Sequence, residues 1–245
     1  MLVLLPPSET KAHGGDGPPL DLEALGFPTL NPMRDTLVDA LVELSADTDA
    51  SLAALGLGPK QAGELASNAV LRSAGTAAAL DRYTGVLYDA LDAARFTRAE
   101  RARASARLAV GSALFGALRA GDPIPRYRLS GGSTLPDVGG LRTLWRPILS
   151  PALSRVEGLV VDLRSGSYAA LGPVTGAVTA TVLTEKPDGS RAVVSHFNKA
   201  HKGLLARALA LTRAEPTDVR GVAQVARRAG LRVEIDSDTA LTVLT

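Results

Sequence analysis

The sequence of 245 residues contains no cysteine, which excludes disulfides, thiolate zinc sites, iron–sulfur clusters and a cysteine nucleophile. Aromatic residues make up only 4% although 46% of the residues are hydrophobic, so the core must consist mainly of Leu, Val and Ala. No apolar run is long enough to span a bilayer, and the opening MLVLLPPSETK becomes polar too soon for a signal peptide. We therefore expect a cytoplasmic protein with no membrane partner.

Positive charge is also modest, because the formal net charge is only +2. A bulk electrostatic argument for nucleic acid is weak at this value, so any basic surface must be local. Arginine greatly outnumbers lysine, which makes each lysine a position of interest. The lysines are Lys11, Lys60, Lys186, Lys199 and Lys202.

The pattern of apolar residues predicts a single domain, 1–245, of mixed α/β class with a mixed β-sheet at its core. The continuous apolar runs at 2–5 and 158–163 are typical of strands buried on both faces. Pro187, Asp188 and Gly189 predict a hairpin turn. The other predicted strands are 177–183, 191–197, 231–235 and 240–244.

Helical periodicity alternates with these strands. Asn31 is the expected N-cap of a helix that has Pro32 at its first position, and Thr97 with Glu100 forms a capping box. Pro147 and Pro151 are expected to break the helix that contains them. The predicted helices cover 32–44, 49–55, about 62–72, 97–106, 141–155, 199–212 and 218–229.

Polar segments of similar character follow several of these elements. Three of them, 8–11, 119–128 and 162–168, come after apolar strands, and a fourth, 195–202, places Lys199 and Lys202 on one helix face. If the four segments converge, they form a pocket rich in Lys, Arg and hydroxyl groups that suits a phosphate, a nucleotide or the DNA backbone. The alternative is that each segment is polar only because loops are exposed.

The second of these segments, 119–128, belongs to the stretch 111–136, which begins with small and apolar residues and then turns sharply. Pro123 and Pro125 stiffen the turn, which is expected to present Arg119, Tyr127 and Arg128. A rigid loop with guanidinium groups and a phenol suits an anion or a nucleotide. Solvated arginines on an ordinary surface loop are the alternative.

A second candidate site is the turn at Gly56, Gly58 and Lys60, within a helical hairpin element at about 47–72. It resembles the hairpin of helix-hairpin-helix modules, whose glycines let backbone N–H groups approach a DNA phosphate. Lys60 would add a point charge. Glycines and a proline between two helices also make an ordinary turn, and that alternative stays open.

Motifs for metal binding and covalent catalysis are not apparent. His13, His196 and His201 lack the spacing of a metal site, and we expect a structural or solvent role for His196. Walker loops, nucleophile elbows and Ser/His/Asp motifs are missing as well. The sequence thus predicts no metal and no cofactor.

Several short blocks along the chain form a recognisable series. The blocks are 7–11 (PSETK), 83–85 (YTG), 111–119 (GSALFGALR), 125–129 (PRYRL), Trp145, 162–168 (DLRSGSY), and Phe197 through Lys199, Lys202 and Gly203. Each block alone is weak, but their order and spacing along nearly the whole chain are fairly specific. Taken together, they resemble the bacterial YaaA family of peroxide stress resistance proteins.

The resemblance implies one mixed α/β domain with a helix-hairpin-helix-like element, non-specific binding of duplex DNA, and a role in limiting iron-dependent peroxide damage. An iron-sequestering mechanism fits poorly, because carboxylate and histidine clusters are missing. The alternative is an enzyme acting on a small anionic or nucleobase-like substrate. Its catalytic residues would be Lys11, Tyr127, Lys199 and Lys202, and its binding residues would be Ser8, Thr84, Arg119, Arg128, Ser165 and Tyr168.

Overall fold

The computed structural model describes residues 1–186, 188–193 and 195–245, with the side chains of 195–197 left out. Within this part of the chain, eight strands form a mixed sheet in the order β11-β12-β9-β8-β1-β3-β4, with β10 paired to β9. Two small sheets, β2-β5 and β6-β7, lie apart from it. The strands are β1 Leu2–Leu5, β2 Ala77–Ala78, β3 Leu108–Ser112, β4 Gly116–Arg119, β5 Pro123–Ile124, β6 Thr134–Leu135, β7 Gly139–Gly140, β8 Val160–Asp162, β9 Val178–Glu185, β10 Arg191–Ala192, β11 Arg232–Ser237 and β12 Ala240–Leu244.

Helices cover the sheet and connect its strands. Short 3-10 turns lie at Leu22–Ala24, Pro28–Leu30, Pro59–Glu64 and Ala93–Arg95. None of the helices in the described ranges has the length and apolar character needed to cross a membrane. The α-helices are α1 Asn31–Leu44, α2 Thr48–Leu55, α3 Ala66–Ala69, α4 Ala79–Arg82, α5 Val86–Leu91, α6 Arg98–Arg107, α7 Leu141–Ser154, α8 Gly166–Ala169, α9 Ser195–Leu211 and α10 Val219–Arg228.

Strand β1 lies in the interior of the sheet and pairs in parallel with β3 on one side and β8 on the other. All residues of β1, β3 and β8 are buried, as a parallel sheet covered on both faces requires. The continuous apolar runs at 2–5 and 158–163 therefore predicted their strands correctly. The predicted mixed α/β class is confirmed.

Antiparallel strands complete both ends of the sheet. At one end the β3–β4 hairpin turns at Gly116, whose φ is 71°. A Cβ added there would lie 2.7 Å from the ring of Trp145, so both conformation and space favour glycine. The Trp145 indole N–H donates to the carbonyl oxygen of Ala113, and this bond fixes α7 against the hairpin.

One predicted helix cap is confirmed, and another is wrong. The Thr97–Glu100 capping box is present at the start of α6. Asn31, however, lies inside α1, and its side chain binds Arg34 and Glu23 instead of capping the helix. The cap was misplaced because the preceding 3-10 turn runs directly into α1.

The helix at 141–155 is not broken by its prolines, since α7 is continuous through both. Pro147 and Pro151 are spaced by four residues and lie on the exposed face. The carbonyl groups that lose their N–H partners are therefore on the side that water reaches. Burial of the opposite face, which includes Trp145 and Leu149, holds the helix together.

Two other segments differ from the prediction. The strand expected at 191–197 covers only Arg191–Ala192, and α9 already begins at Ser195. The helix expected from 62 to about 72 is replaced by the 3-10 turn Pro59–Glu64 and by short α3. Pro187 of the predicted turn lies outside the described residues, as does Val194 of the predicted strand.

Candidate functional site

The candidate site lies at the carboxyl edge of the parallel strands. After β1 the chain proceeds to β3 on one side, whereas after β8 it proceeds to β9 on the other side. The connections that follow β1 and β8 therefore diverge and leave a crevice between them. In open α/β sheets this switch point is the preferred position for a ligand.

A cleft of about 800 Å³ occupies this position. Its walls come from the segments that follow β1 and β8, from the turn before α5, and from the first half of α9. The lining residues are Pro6 to Thr10, Thr84 to Tyr88, Leu163 to Tyr168, Val193, Asn198, Lys199 and Lys202. Six of the ten predicted pocket residues thus line one cleft: Ser8, Thr84, Ser165, Tyr168, Lys199 and Lys202.

Hydroxyl groups on the cleft walls form two small clusters. Thr10 Oγ1 lies 3.1 Å from both Ser8 Oγ and Thr84 Oγ1, and Ser165 Oγ lies 3.3 Å from Ser167 Oγ. A hydroxyl can donate or accept, so these clusters can adapt to an anion or to a neutral polar group. The cleft can therefore supply several donors to one ligand.

The positive charge of the cleft comes from Lys199 and Lys202 on α9. Lys199 is exposed and has no ion-pair partner among the described residues. Lys202 donates to the Leu163 carbonyl at 3.0 Å, and burial lowers its pKa although Asp162 acts in the opposite direction. Gly203 lets α9 approach α5 closely, because a Cβ there would lie 2.3 Å from the Leu87 carbonyl oxygen.

The floor of the cleft contains a buried ion pair that the sequence did not indicate. Arg164 donates to both carboxylate oxygens of Asp162, at 2.8 and 2.7 Å. It also donates to the carbonyl oxygen of Gly172 at 2.8 Å. These bonds fix the course of the chain between β8 and α8, and so they position the Ser165–Ser167 hydroxyl cluster. No standard motif signals this role.

Beneath the cleft wall, Lys11 is buried against two aromatic rings. Its Nζ lies 4.2 Å from the centre of the Tyr127 ring and 5.3 Å from that of Tyr83, and it donates to the Ser8 carbonyl at 3.0 Å. Burial lowers the pKa of Lys11 to about 8. Lys11 thus supports the cleft loop from below instead of lining the cleft.

Tyr127 is likewise buried and is not presented at the surface as expected. Its hydroxyl is hydrogen bonded to the hydroxyls of Tyr83 and Ser112, each at 2.8 Å. Burial raises the pKa of Tyr83 to about 12 and holds the pKa of Tyr127 well above its ordinary value. The stiff turn directs this phenol into the core because Ser112, at the end of β3, offers it a buried partner.

The guanidinium group of Arg128 is already bound by two carboxylates. Its Nη1 lies 3.0 Å from Glu9 and 3.3 Å from Glu64, and its side chain is only 15% exposed. Arg128 therefore does not line the cleft, contrary to the expectation that it binds the ligand directly. The sequence could not show that Glu9 and Glu64 meet there.

Arg119 lies at the opposite edge of the sheet, so the expectation that it joins the pocket is wrong. Strand β4 runs antiparallel to β3 and pairs Arg119 with Ala109, near the start of β3. The guanidinium stacks over the ring of Phe27 at 4.7 Å. The hairpin after β3 thus carries the chain away from the cleft.

The hairpin element places Gly56, Gly58 and Lys60 on an exposed turn, apart from the cleft. Gly56 has a φ of 64° and ends α2. The Gly56 and Leu57 amides donate to α2 carbonyls, and the Gly58 amide donates to the Gln61 side chain at 3.2 Å. These three amides are therefore not free to cradle a phosphate in this conformation.

Metal ligands are not gathered anywhere in the described residues, where no group of three or more His, Asp or Glu side chains could hold an ion. His196 and Phe197 lie in the stretch whose side chains are not described, so the role expected for His196 stays a prediction.

Residues 1–235 match the family model described as peroxide stress protein YaaA. The chain belongs to the YaaA family. Membership suggests a protein related to peroxide stress.

Relatives within this family cover almost the entire chain. A UPF0246 protein of Corynebacterium efficiens is 51% identical over 240 residues, which is 96% of each chain. One from Corynebacterium glutamicum is 50% identical over 96% of this chain and 95% of its own. A third, from Streptomyces coelicolor, is 43% identical over 97% of this chain and 93% of its own. The YaaA-like blocks therefore belong to a resemblance that extends over the full domain.

Proposed function

We propose that this YaaA-family protein binds a small anion that bears a phosphate or a nucleobase-like group in the cleft at the β1–β8 switch point. The observation that carries the proposal is the convergence of Lys199 and Lys202 with the hydroxyl clusters at one sheet edge. Ammonium groups and hydroxyls together neutralise and hydrogen bond phosphate oxygens. Lys202 uses one of its three N–H groups for the Leu163 carbonyl, and Lys199 is exposed, so both ammonium groups can donate to a ligand.

The apolar part of the cleft supports a ligand with a planar body as well as a charged group. Pro6, Pro7, Val86, Leu87 and Val193 line it beside the polar residues. Ligand sites of this kind combine a largely apolar lining with a few polar groups that fix orientation. A nucleoside monophosphate has both parts, and we use AMP as the first probe.

Isothermal titration with AMP, pyrophosphate and inorganic phosphate tests this proposal. Wild-type protein should bind at least one of them, and Lys199→Ala should weaken that binding about tenfold, because it removes a charge-assisted contact. Lys186→Ala is the matched control, since Lys186 is exposed outside the cleft. Equal affinity in both variants, or no binding by the wild type, would reject the proposal.

An enzymatic reaction on the bound ligand in the cleft would extend the same proposal. Lys202 lines the cleft, is partly buried and has a lowered pKa, which are the conditions for an amine that acts as base or nucleophile. Lys11 and Tyr127 lie behind the wall and would act only through other groups. Turnover of a bound ligand that Lys202→Arg abolishes without loss of binding would support this role.

Duplex DNA is the second candidate partner, and it rests on the hairpin element. Lys60 is exposed on a turn at the start of the 3-10 segment Pro59–Glu64, where a phosphate could approach. Since the Gly56, Leu57 and Gly58 amides are engaged internally, binding there would depend mainly on charge. We rank it below the cleft for this reason.

A contribution to limiting iron-dependent peroxide damage completes the proposal, and family membership supports it. Cells that lack the gene should survive peroxide poorly, and wild-type protein should restore survival. If the cleft carries the function, Lys199→Ala should restore it incompletely whereas Lys186→Ala should restore it fully. Full rescue by both variants would show that the stress response does not depend on Lys199 in the cleft.

A further inference from the structure

We propose that residues 128–131 form a strap that couples the hairpin element at 47–72 to both walls of the cleft, with Arg128 as its positioning residue. The strap does not line the cleft itself. Arg128 contacts the hairpin element. Arg128 and Gly131 contact the two cleft loops, which are the segments that follow β1 and β8. A ligand or partner at the hairpin would therefore alter the shape of the cleft.

The hairpin end of the strap is fixed by backbone and side-chain bonds. The Asn68 side chain accepts from the Arg128 amide at 2.7 Å and donates to the Arg128 carbonyl at 2.9 Å. Asn68 is almost fully buried. These two bonds tie the backbone of the strap to α3, so the strap must follow any displacement of the hairpin element.

The first cleft wall is tied to the strap through charge. Nη1 of Arg128 is shared between Glu64 on the hairpin element and Glu9 on the loop after β1. Glu9 lines the cleft. Because one nitrogen serves both carboxylates, a change at Glu64 alters how Arg128 holds Glu9. The buried Lys11 amine lies next to this group and donates to the same loop.

The second cleft wall is tied to the strap through a tyrosine. The amide of Gly131 donates to the Tyr168 hydroxyl at 3.1 Å. The ring also packs on the strap backbone, since a Cβ on Gly131 would lie 3.2 Å from it. Tyr168 belongs to the 163–168 wall. Residues 128–131 thus hold both loops whose separation defines the cleft.

Hydrogen exchange followed by mass spectrometry tests the coupling without any ligand. Glu64→Gln keeps the shape but removes the charge at the hairpin, and Asp49→Asn makes the same change elsewhere on that element. Gly131→Ala inserts a methyl group against Tyr168, whereas Gly132→Ala meets no atom within 4 Å. Comparison of each variant with its control therefore separates an effect on the strap from a general effect of the substitution.

We expect Glu64→Gln to speed exchange of the Ala12 and Thr84 amides, which hold the loop after β1 by their bonds to Arg82 and Thr10. We expect Gly131→Ala to speed exchange of the Ala169 and Ala170 amides, which donate to Ser165 and Gly166. Each change should be about threefold to tenfold. The control variants should match the wild type, and so should strands β11 and β12 in all four variants. Unchanged exchange in the cleft loops, or equal changes in the control variants, would overturn the proposal that the strap couples the hairpin element to the cleft.

The effect of the strap on ligand binding rests on the proposed function. Failure of the strap proposal can be distinguished from failure of the ligand proposal. If the exchange pattern appears but AMP, pyrophosphate and phosphate do not bind the wild type, then the strap stands and the ligand proposal fails. If AMP binds, Gly131→Ala should weaken it more than Gly132→Ala does. Equal affinities in these two variants would show that the strap does not shape the ligand site and would overturn its functional role.

Discussion

The cleft and the hairpin element place their basic side chains in very different surroundings. Lys202 is partly buried at the meeting point of segments far apart in sequence, whereas Lys60 stands alone on an exposed turn. Desolvation strengthens electrostatic interactions in the first case, and water screens them in the second. The surroundings of Lys202 therefore suit a specific ligand, whereas those of Lys60 suit only a contact that depends on charge.

The largest effect is expected at the cleft floor. Arg164→Met leaves the Asp162 carboxylate buried without its partner, which should lower the free energy of unfolding by about 3–5 kcal/mol. Denaturant titration measures this loss.

A double variant, Asp162→Asn with Arg164→Met, distinguishes the lost charge pair from lost packing. It should recover a large part of the stability, because no uncompensated charge remains. If the double variant is less stable than Arg164→Met, burial of an unpaired charge is not the cause.

The next largest effect is a dependence of the free energy of unfolding on pH that is due to Lys11. Its pKa is about 8 in the folded protein, against 10.5 for the ordinary group. Between these values the unfolded chain binds more protons, so the contribution of Lys11 to stability rises with pH by up to about 1.4 kcal/mol per unit. Below about pH 8 the buried charge costs its full penalty.

The comparison of wild type with Lys11→Met isolates this titration, because other groups titrate in both proteins. The stability of the variant relative to the wild type should fall from pH 8 to pH 10.5. A constant difference over that window would show that Lys11 is not desolvated as described.

A smaller effect is expected for the second cleft lysine. Lys202→Ala should weaken AMP binding about tenfold, whereas Lys60→Ala should leave it unchanged, because Lys60 lies outside the cleft. Calorimetry on both variants measures the difference. A loss of AMP affinity in Lys60→Ala as large as that in Lys202→Ala would mean that Lys60 contacts the ligand and that the two regions are not separate sites.

The smallest effect is expected for DNA binding at the hairpin element. If duplex DNA contacts Lys60, then Lys60→Ala should reduce the slope of log affinity against log salt by about 0.9. Fluorescence anisotropy over a range of salt concentrations measures it. An unchanged slope would remove Lys60 from the DNA interface.

Sequence patterns predicted the parts of this protein that depend on local order. The apolar run at Leu2–Leu5 and the capping box at Thr97 each reflect one element and its immediate neighbours. The clustering of Ser8, Thr84 and Lys199 was also predictable, because parallel strand ends share an edge and the YaaA resemblance names the same blocks.

The errors concern long-range pairing. Whether Arg128 faces a ligand or two carboxylates depends on Glu9 and Glu64, which only the tertiary fold brings together. The displacement of Arg119 depends on the direction of a single strand. The continuous helix through Pro147 depends on which helix face is buried. None of these can be deduced from local spacing.

The most direct test of the cleft is a crystal structure of the protein soaked with AMP. We predict phosphate density within about 3 Å of Lys199 Nζ or Lys202 Nζ, with the adenine against the apolar wall at the β1–β8 switch point. Density at the turn of the hairpin element with an empty cleft would contradict binding in the cleft.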